Sequence, residues 1–333
     1  MSRASLERGP ARSHPLEGAA RPHGGSRGLL ATLLRMATLV RYRFFLYAGL
    51  MPYLLGGAWA YGVAREFHAG IFWIGLGGVA LSVVGVEAFN EYFDSRLGTD
   101  RVFNPADVPA MAVAVLWLGT AAFGGALAVG IYLAIDYGTP VLVFAALGGL
   151  AAIFYAAPPI RWAYRGLGEL AIGLAYGPWL TLGSVYLQTR TLPRGAWWAS
   201  AVPGLLIMAL AVVNEIPDYH QDRLVGKRNW VVRLGRRRGV WLYVALACAG
   251  LLAAPAGVAA GEFPVACLGA LLAAPLLLAS AHRALRSYEQ PRRFAPAIAT
   301  IVGCYLLAVT LFAAGMVLSG VRPPTTAQRV SGS

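Results

Sequence analysis

AWWASAVPGLLIMALAVVNEIPDYHQD, residues 196–222, is the stretch that decides how this chain folds. Up to Val213 it is an apolar run without a single charge. Runs of about 18 or more such residues read as helices that cross a bilayer. Asn214, Glu215, Asp218 and Asp222 then follow in quick succession. Asn214, Asp218 and Asp222 recur at four-residue steps, so a continuing helix stacks them on one face. Pro217 falls between them and is expected to kink the helix without destroying that register.

The same alternation of long apolar run and short polar break fills the rest of the chain. Hydrophobic residues make up 58% of it and charged residues only 13%, against roughly 25% charged in an ordinary soluble domain. Nine spans are expected, near residues 44–64, 71–93, 110–134, 140–157, 168–188, 196–217, 240–260, 263–283 and 296–319. Residues 1–28 are rich in Arg, Gly, Pro and Ser and lack an apolar period, so they read as a disordered basic tail and not as a signal peptide. A membrane domain over 29–320 and a short tail over 321–333 complete the division. The fold class expected is all-α: a polytopic membrane bundle of about nine transmembrane helices, two pseudo-repeated four-helix halves plus one helix.

The formal charge of +13 invites a nucleic-acid reading, but the basic residues punctuate the apolar runs and form no stripe. No nucleic acid and no obligate protein partner are expected; the lipid bilayer is. Cys248, Cys267 and Cys304 lie inside apolar runs, without metal-ligand spacing or a disulfide framework.

Nine spans put the termini on opposite sides. One side collects the basic tail through Arg43, Arg96, Arg101, Arg161, Arg165, the stretch Arg223–Arg238, Arg283, Arg286, Arg292 and Arg293. The other holds Arg65, Arg190, Arg194, Arg322 and Arg329. The positive-inside rule therefore sets the N-terminus in the cytoplasm and the C-terminus outside, in a bacterial cell (inner) membrane.

A second acidic cluster closes the second span: Glu87, Asn90, Glu91, Asp94, then Asp100. An Asp within a membrane helix costs about 2.5–3.5 kcal/mol on insertion scales, so two such clusters need a reason. One alone is explained as a solvated helix end. Two of the same shape, Asn-x-x-x-Asp with a further Asp, on the same side and four spans apart, suggest parallel halves that bring the motifs face to face. Facing carboxylates and amides make a hard-oxygen cation site, and Mg²⁺ prefers such ligands together with water and substrate phosphate. Lys227 and Arg228, just beyond Asp222, are suited to hold a diphosphate, though positive-inside topology alone would also explain them.

The strings NEYFDSRLGTD (90–100), YAAPPIR (155–161), YRGLGELAIGLAYGPWLTLGSVYLQT (164–189) and NEIPDYHQDRLVGKRNWVVRLGRRR (214–238) together resemble the UbiA-type intramembrane prenyltransferases. Among these the chain looks most like 1,4-dihydroxy-2-naphthoate prenyltransferases of menaquinone synthesis. It departs from them at Glu91, in RVFNPADVPA after Asp100 and in YAAPPIR. The resemblance implies that Asn90, Asp94, Asp100, Asn214, Asp218 and Asp222 bind a polyprenyl diphosphate through Mg²⁺, with Asp94 and Asp218 central to catalysis. It further implies diphosphate contacts from Lys227, Arg228 and one of Arg41 and Arg43, and an acceptor or cation vicinity at Tyr155 and Arg161. The reaction so implied is Mg²⁺-dependent prenyl transfer from a polyprenyl diphosphate to an aromatic, quinone-precursor acceptor partitioned in the membrane. Tyr92, Phe93, Tyr155, Tyr176 and Trp179 are the aromatic faces available to an allylic cation. The alternatives are a relative with a glycerol phosphate or porphyrin-type acceptor, an isoprenoid cyclase and, in another class, a secondary transporter. The span count is tested by topology: reporters fused at residue 333 and within 220–235 should report opposite sides of the membrane, and agreement between them would exclude nine spans.

Overall fold

The computed structural model describes residues 43–97 and 113–321. The described residues all belong to one compact unit, which carries the bundle. The expected tail over 1–28, Arg41, Asp100 and almost all of 321–333 lie outside the described residues.

Among the described residues there are only helices, arranged as nine apolar rods. Helix α1 (Arg43–Trp59) runs on into a π turn, Ala60–Ala64. Helices α2 (Ala69–Leu97), α3 (Val113–Tyr137) and α4 (Thr139–Ala156) follow. A single helical turn, α5 (Trp162–Arg165), leads into the fifth rod. That rod joins α6 (Gly168–Leu174) through a π turn at Ala175–Trp179 to α7 (Leu180–Thr189). The sixth rod is α8 (Arg194–Leu224), followed by the short α9 (Trp230–Leu234). The last three are α10 (Arg236–Ala259), a 3₁₀ segment (Val265–Ala273) continued by α11 (Ala274–Ser287), and α12 (Pro291–Val321). Seven of these rods are long and apolar enough to cross a membrane, and α4 is shorter. The rods fall where the apolar runs placed them.

Most connections are only a few residues long, so consecutive rods run antiparallel. The C-terminal ends of α2, α4 and α8 therefore share one face of the bundle, and the clusters around Asn90 and Asn214 with them. Pro217 is accommodated: α8 is continuous through Pro203 and Pro217, so Asn214, Asp218 and Asp222 keep their common face.

Helix α8 is the axis of the molecule. Val202, Leu206, Ile207, Leu210, Val212, Val213 and Ile216 are buried almost completely. It packs against α10, α12, α1 and the fifth rod. With lipid outside, burial of apolar side chains gives little net drive, and close packing through small residues takes over. Gly177 illustrates this: a Cβ there would lie 2.5 Å from the Cα of Gly204, so the π turn of the fifth rod meets α8 backbone to backbone. Pro178 lies in the same turn. A π turn widens the helix locally and commonly marks a functional position; here it carries Tyr176 and Trp179.

This crossing makes a prediction. Gly177→Ala forces backbone apart at a cost of about 1–3 kcal/mol, and should lower the unfolding temperature in detergent. At Gly77, nothing lies within 4 Å of an added Cβ, so Gly77→Ala should be neutral, or stabilising by up to about 1 kcal/mol through helix propensity. The reverse order in thermal melts would contradict the close crossing.

Candidate functional site

A cavity of about 930 Å³ opens inside the first five rods and α8. It follows α2 from Gly75 to Asn90, a length of about 22 Å at roughly 1.5 Å per residue. Its walls are apolar, among them Val79, Val83, Phe123, Leu127, Phe144 and Leu180. Its floor is a small cluster of Tyr53, Leu133, Val141 and Leu187. There the Tyr53 hydroxyl donates to the Phe72 carbonyl at 3.0 Å. The opposite end is polar, lined by Glu87, Asn90, Asn214, Glu215, Asp218, Asp222, Lys227 and Asn229. Among the described lining residues, four carboxyl groups thus face one ammonium, an excess of negative charge suited to divalent cations.

Asp222 is buried, 5% exposed, and both its oxygens are engaged. Oδ2 accepts from Nδ2 of Asn229 at 2.7 Å, and Oδ1 meets Nζ of Lys227 at 3.1 Å. Asn229 uses its other end, Oδ1, to accept from the Val232 N–H at 2.8 Å, as the N-cap of α9. A carboxylate offers about four lone-pair directions, so Asp222 remains able to ligate a cation. Asn214 donates its amide to the Leu210 carbonyl at 2.8 Å, which leaves its carboxamide oxygen as the candidate ligand.

The loop between α8 and α9 is tied to the start of the fifth rod. The Arg228 N–H donates to the Tyr164 carbonyl at 3.2 Å. The indole of Trp230 donates to the Gly166 carbonyl at 3.0 Å, and the Trp230 backbone N–H donates to Oε1 of Glu169. Arg233 bridges the carbonyls of Arg228 and Arg165. Sequence reading passed over Asn229 and Glu169. The available signals were an Asn directly ahead of the WVV turn and an acid that opens an apolar run.

The expected site residues distribute as follows. Asn90, Asn214, Asp218, Asp222, Lys227 and Tyr155 line the one cavity. Asp94 belongs to α2, one turn beyond Asn90, and Arg43 opens α1; their side chains, like Arg41 and Asp100 entirely, are outside the described residues. The Arg228 side chain is exposed and does not line the cavity. Arg161 is half-buried, has φ of 51°, and sets its guanidinium 5.1 Å from the centre of the Tyr164 ring. Lys227 approaches the same ring at 5.7 Å. Of the aromatic candidates, Tyr155, Tyr176 and Trp179 line the cavity, whereas Tyr92 and Phe93 pack edge to face with each other outside its lining.

The donor set fits Mg²⁺. It consists of carboxylate and carboxamide oxygens, as a hard cation requires. Oδ1 of Asn90 is buried without a hydrogen-bond partner, an oxygen that a cation would satisfy. Among the described residues no three His, Cys, Asp or Glu side chains converge on a point of their own. Mg²⁺ is commonly held by one or two carboxylates plus water and substrate phosphate, so a sparse protein shell accords with a phosphorylated ligand that completes it.

Comparison with known proteins agrees with this geometry. The profile of the UbiA prenyltransferase family matches residues 49–301. The chain is 30% identical over 277 residues to a 1,4-dihydroxy-2-naphthoate octaprenyltransferase of Mycobacterium tuberculosis, covering 78% of this chain and 90% of the relative. It is 23% identical to a 2-carboxy-1,4-naphthoquinone phytyltransferase of Synechocystis, covering 81% of this chain and 87% of the relative. Among solved structures, a UbiA homologue from Aeropyrum pernix superposes with a TM-score of 0.64 at 18% identity, over 81% of this chain and 96% of the other. One from Archaeoglobus fulgidus, bound to GPP and Mg²⁺, gives 0.54 at 15% identity, over 80% and 96%. A family profile that spans residues 49–301, most of the chain, makes this protein a member of the UbiA prenyltransferase family.

Proposed function

We propose that the protein transfers a polyprenyl group from polyprenyl diphosphate to a dihydroxynaphthoate-type aromatic acceptor within the membrane, with Mg²⁺ as cofactor. The observation that carries this reading is the shape of the cavity. One continuous space joins an acidic end, able to hold metal and diphosphate, to an apolar slot about 22 Å long for the isoprenoid chain.

Asn90, Asp94, Asp100, Asn214, Asp218 and Asp222 hold the metal in this reading; α2 carries Asn90 and Asp94, and α8 carries Asn214, Asp218 and Asp222. Bound Mg²⁺ neutralises diphosphate charge and so makes diphosphate a leaving group. Lys227 adds a fixed positive charge at the same end, its ammonium held by Asp222 and turned toward the cavity. Arg41 or Arg43 is proposed as a second basic contact. The exposed Arg228 serves at the mouth and not inside the cavity. As the allylic C–O bond breaks, its electron pair leaves with the diphosphate, and the π faces of Tyr155, Tyr176 and Trp179 are available to the cationic chain. The acceptor ring carbon then attacks, and a ring proton or carboxyl group is lost. Tyr155 and Arg161 flank the proposed acceptor position. The apolar walls exclude water that would otherwise quench the cation.

The naphthoate acceptor is supported by the names of the relatives that the chain resembles at 23–30% identity over most of its length. A glycerol phosphate acceptor rests only on fold, through a digeranylgeranylglyceryl phosphate synthase at 13% identity. Family membership sets the transporter reading aside. The placement of the polar end at the cytoplasmic face follows from the arginine distribution and remains part of the proposal.

Purified protein with Mg²⁺, a long polyprenyl diphosphate and dihydroxynaphthoate should yield a prenylated product identifiable by mass, and excess chelator should abolish its formation. Undiminished turnover in chelator would remove the metal from the account. Product from glycerol phosphate but not from the naphthoate would reassign the acceptor.

A further inference from the structure

Glu169 is completely buried in the fifth rod, where an unpartnered acid is expensive. Its Oε1 accepts the Trp230 backbone N–H, and the Glu215 carboxyl lies beside it. Glu215 lines the cavity beside Asn214, and Trp230 follows Asn229, which holds Asp222. Glu169 therefore touches both strands of chain that bear the acidic end of the site, while it lies outside the cavity lining itself.

The loop over residues 225–229 presents Lys227 to the cavity, and the N–H groups of Val225, Gly226, Lys227 and Arg228 all end on backbone carbonyls, those of Lys227 and Arg228 on Asp222 and Tyr164 at 2.9 and 3.2 Å. The N–H of Trp230, just beyond the loop, ends on a side chain, that of Glu169. The nearby cation Arg233 turns its guanidinium to the carbonyls of Arg165 and Arg228, and so braces the same loop from its exposed side.

We propose that Glu169 is a positioning residue for the diphosphate: by accepting the Trp230 N–H it fixes the loop that carries Lys227 at the height of the acidic cluster. The inference rests on the assignment of Lys227 to the diphosphate. It separates Glu169 from a general packing role, because a fault in this loop is felt by the diphosphate and not by the acceptor.

Glutamine preserves the contact on which the proposal rests, since its carboxamide oxygen accepts from the Trp230 N–H. Glu169→Gln should keep donor KM within about 3-fold of wild type. Glu169→Ala, which removes a charged hydrogen-bond acceptor, should raise donor KM and the Kd of Mg²⁺–pyrophosphate about 10- to 100-fold, with acceptor KM unchanged. Glu169→Asp withdraws the carboxylate by one methylene without opening a large cavity; it should shift both donor constants in the same direction and carries the test if the alanine variant does not accumulate. Calorimetric titration with Mg²⁺–pyrophosphate reads binding whether or not the chosen acceptor turns over, so a wrong acceptor affects only the proposed reaction. Unchanged pyrophosphate affinity in the Ala and Asp variants, acceptor KM rising in step with donor KM, or a Gln variant as impaired as Ala would each overturn the inference.

Discussion

A carboxylate withdrawn from water must find donors, and the arrangement of this molecule's polar end follows from how Asp222 finds them. The sixth rod carries Asp222 almost out of solvent. The chain then turns back within five residues, so that Lys227 and Asn229 can reach it. That turn starts α9, with Asn229 as its cap. It also delivers Trp230 to the fifth rod, where Gly166 and Glu169 receive it. One buried acid thus links the end of α8, the loop and the start of α6. Breaking such a buried pair from one side would leave the other charge uncompensated, typically at about 3–5 kcal/mol.

The apolar part of the cavity has a different origin. The slot lies among the first five rods and α8, and α8 packs most extensively against α10 and the fifth rod. The fifth rod meets α8 through the Gly177–Gly204 crossing, and its π turn presents Tyr176 and Trp179 to the cavity. The result is a slot beside the core, with reactive groups at one end and a plugged floor at Tyr53 at the other. An allylic cation is a species that needs both features, charge stabilisation at its head and dryness along its tail.

Much of this was legible in the sequence because it depends on periodicity. Nine apolar runs correspond to nine apolar rods among the described residues, and the four-residue steps of Asn214, Asp218 and Asp222 survived Pro217 because α8 stays continuous. The convergence of Asn90 with Asn214 followed from rods of alternating direction. The rest was hidden because it depends on which loop meets which helix. Nothing in the local pattern announces that Glu169, distant in sequence from Trp230, receives its N–H. Arg228 looked equivalent to Lys227 as a neighbour in sequence, yet in the turn between α8 and α9 Lys227 lines the cavity and Arg228 does not. Tyr92 and Phe93, adjacent to the first motif, pair with each other instead of lining the cavity.

The central claim is that α2 and α8 hold one metal–diphosphate between them. The most direct test is prenyl transfer by wild type, Asp94→Asn, Asp218→Asn and the double variant, with membrane insertion and thermal stability as controls. Each single substitution keeps size and hydrogen bonding while it deletes a charge. If both acids serve one bound group, each single variant should lose on the order of 100-fold or more in rate, and the double variant little beyond that, since residues that act as a unit are strongly non-additive. Losses that multiply in the double variant, or full activity in either single variant, would contradict a site shared between the two helices.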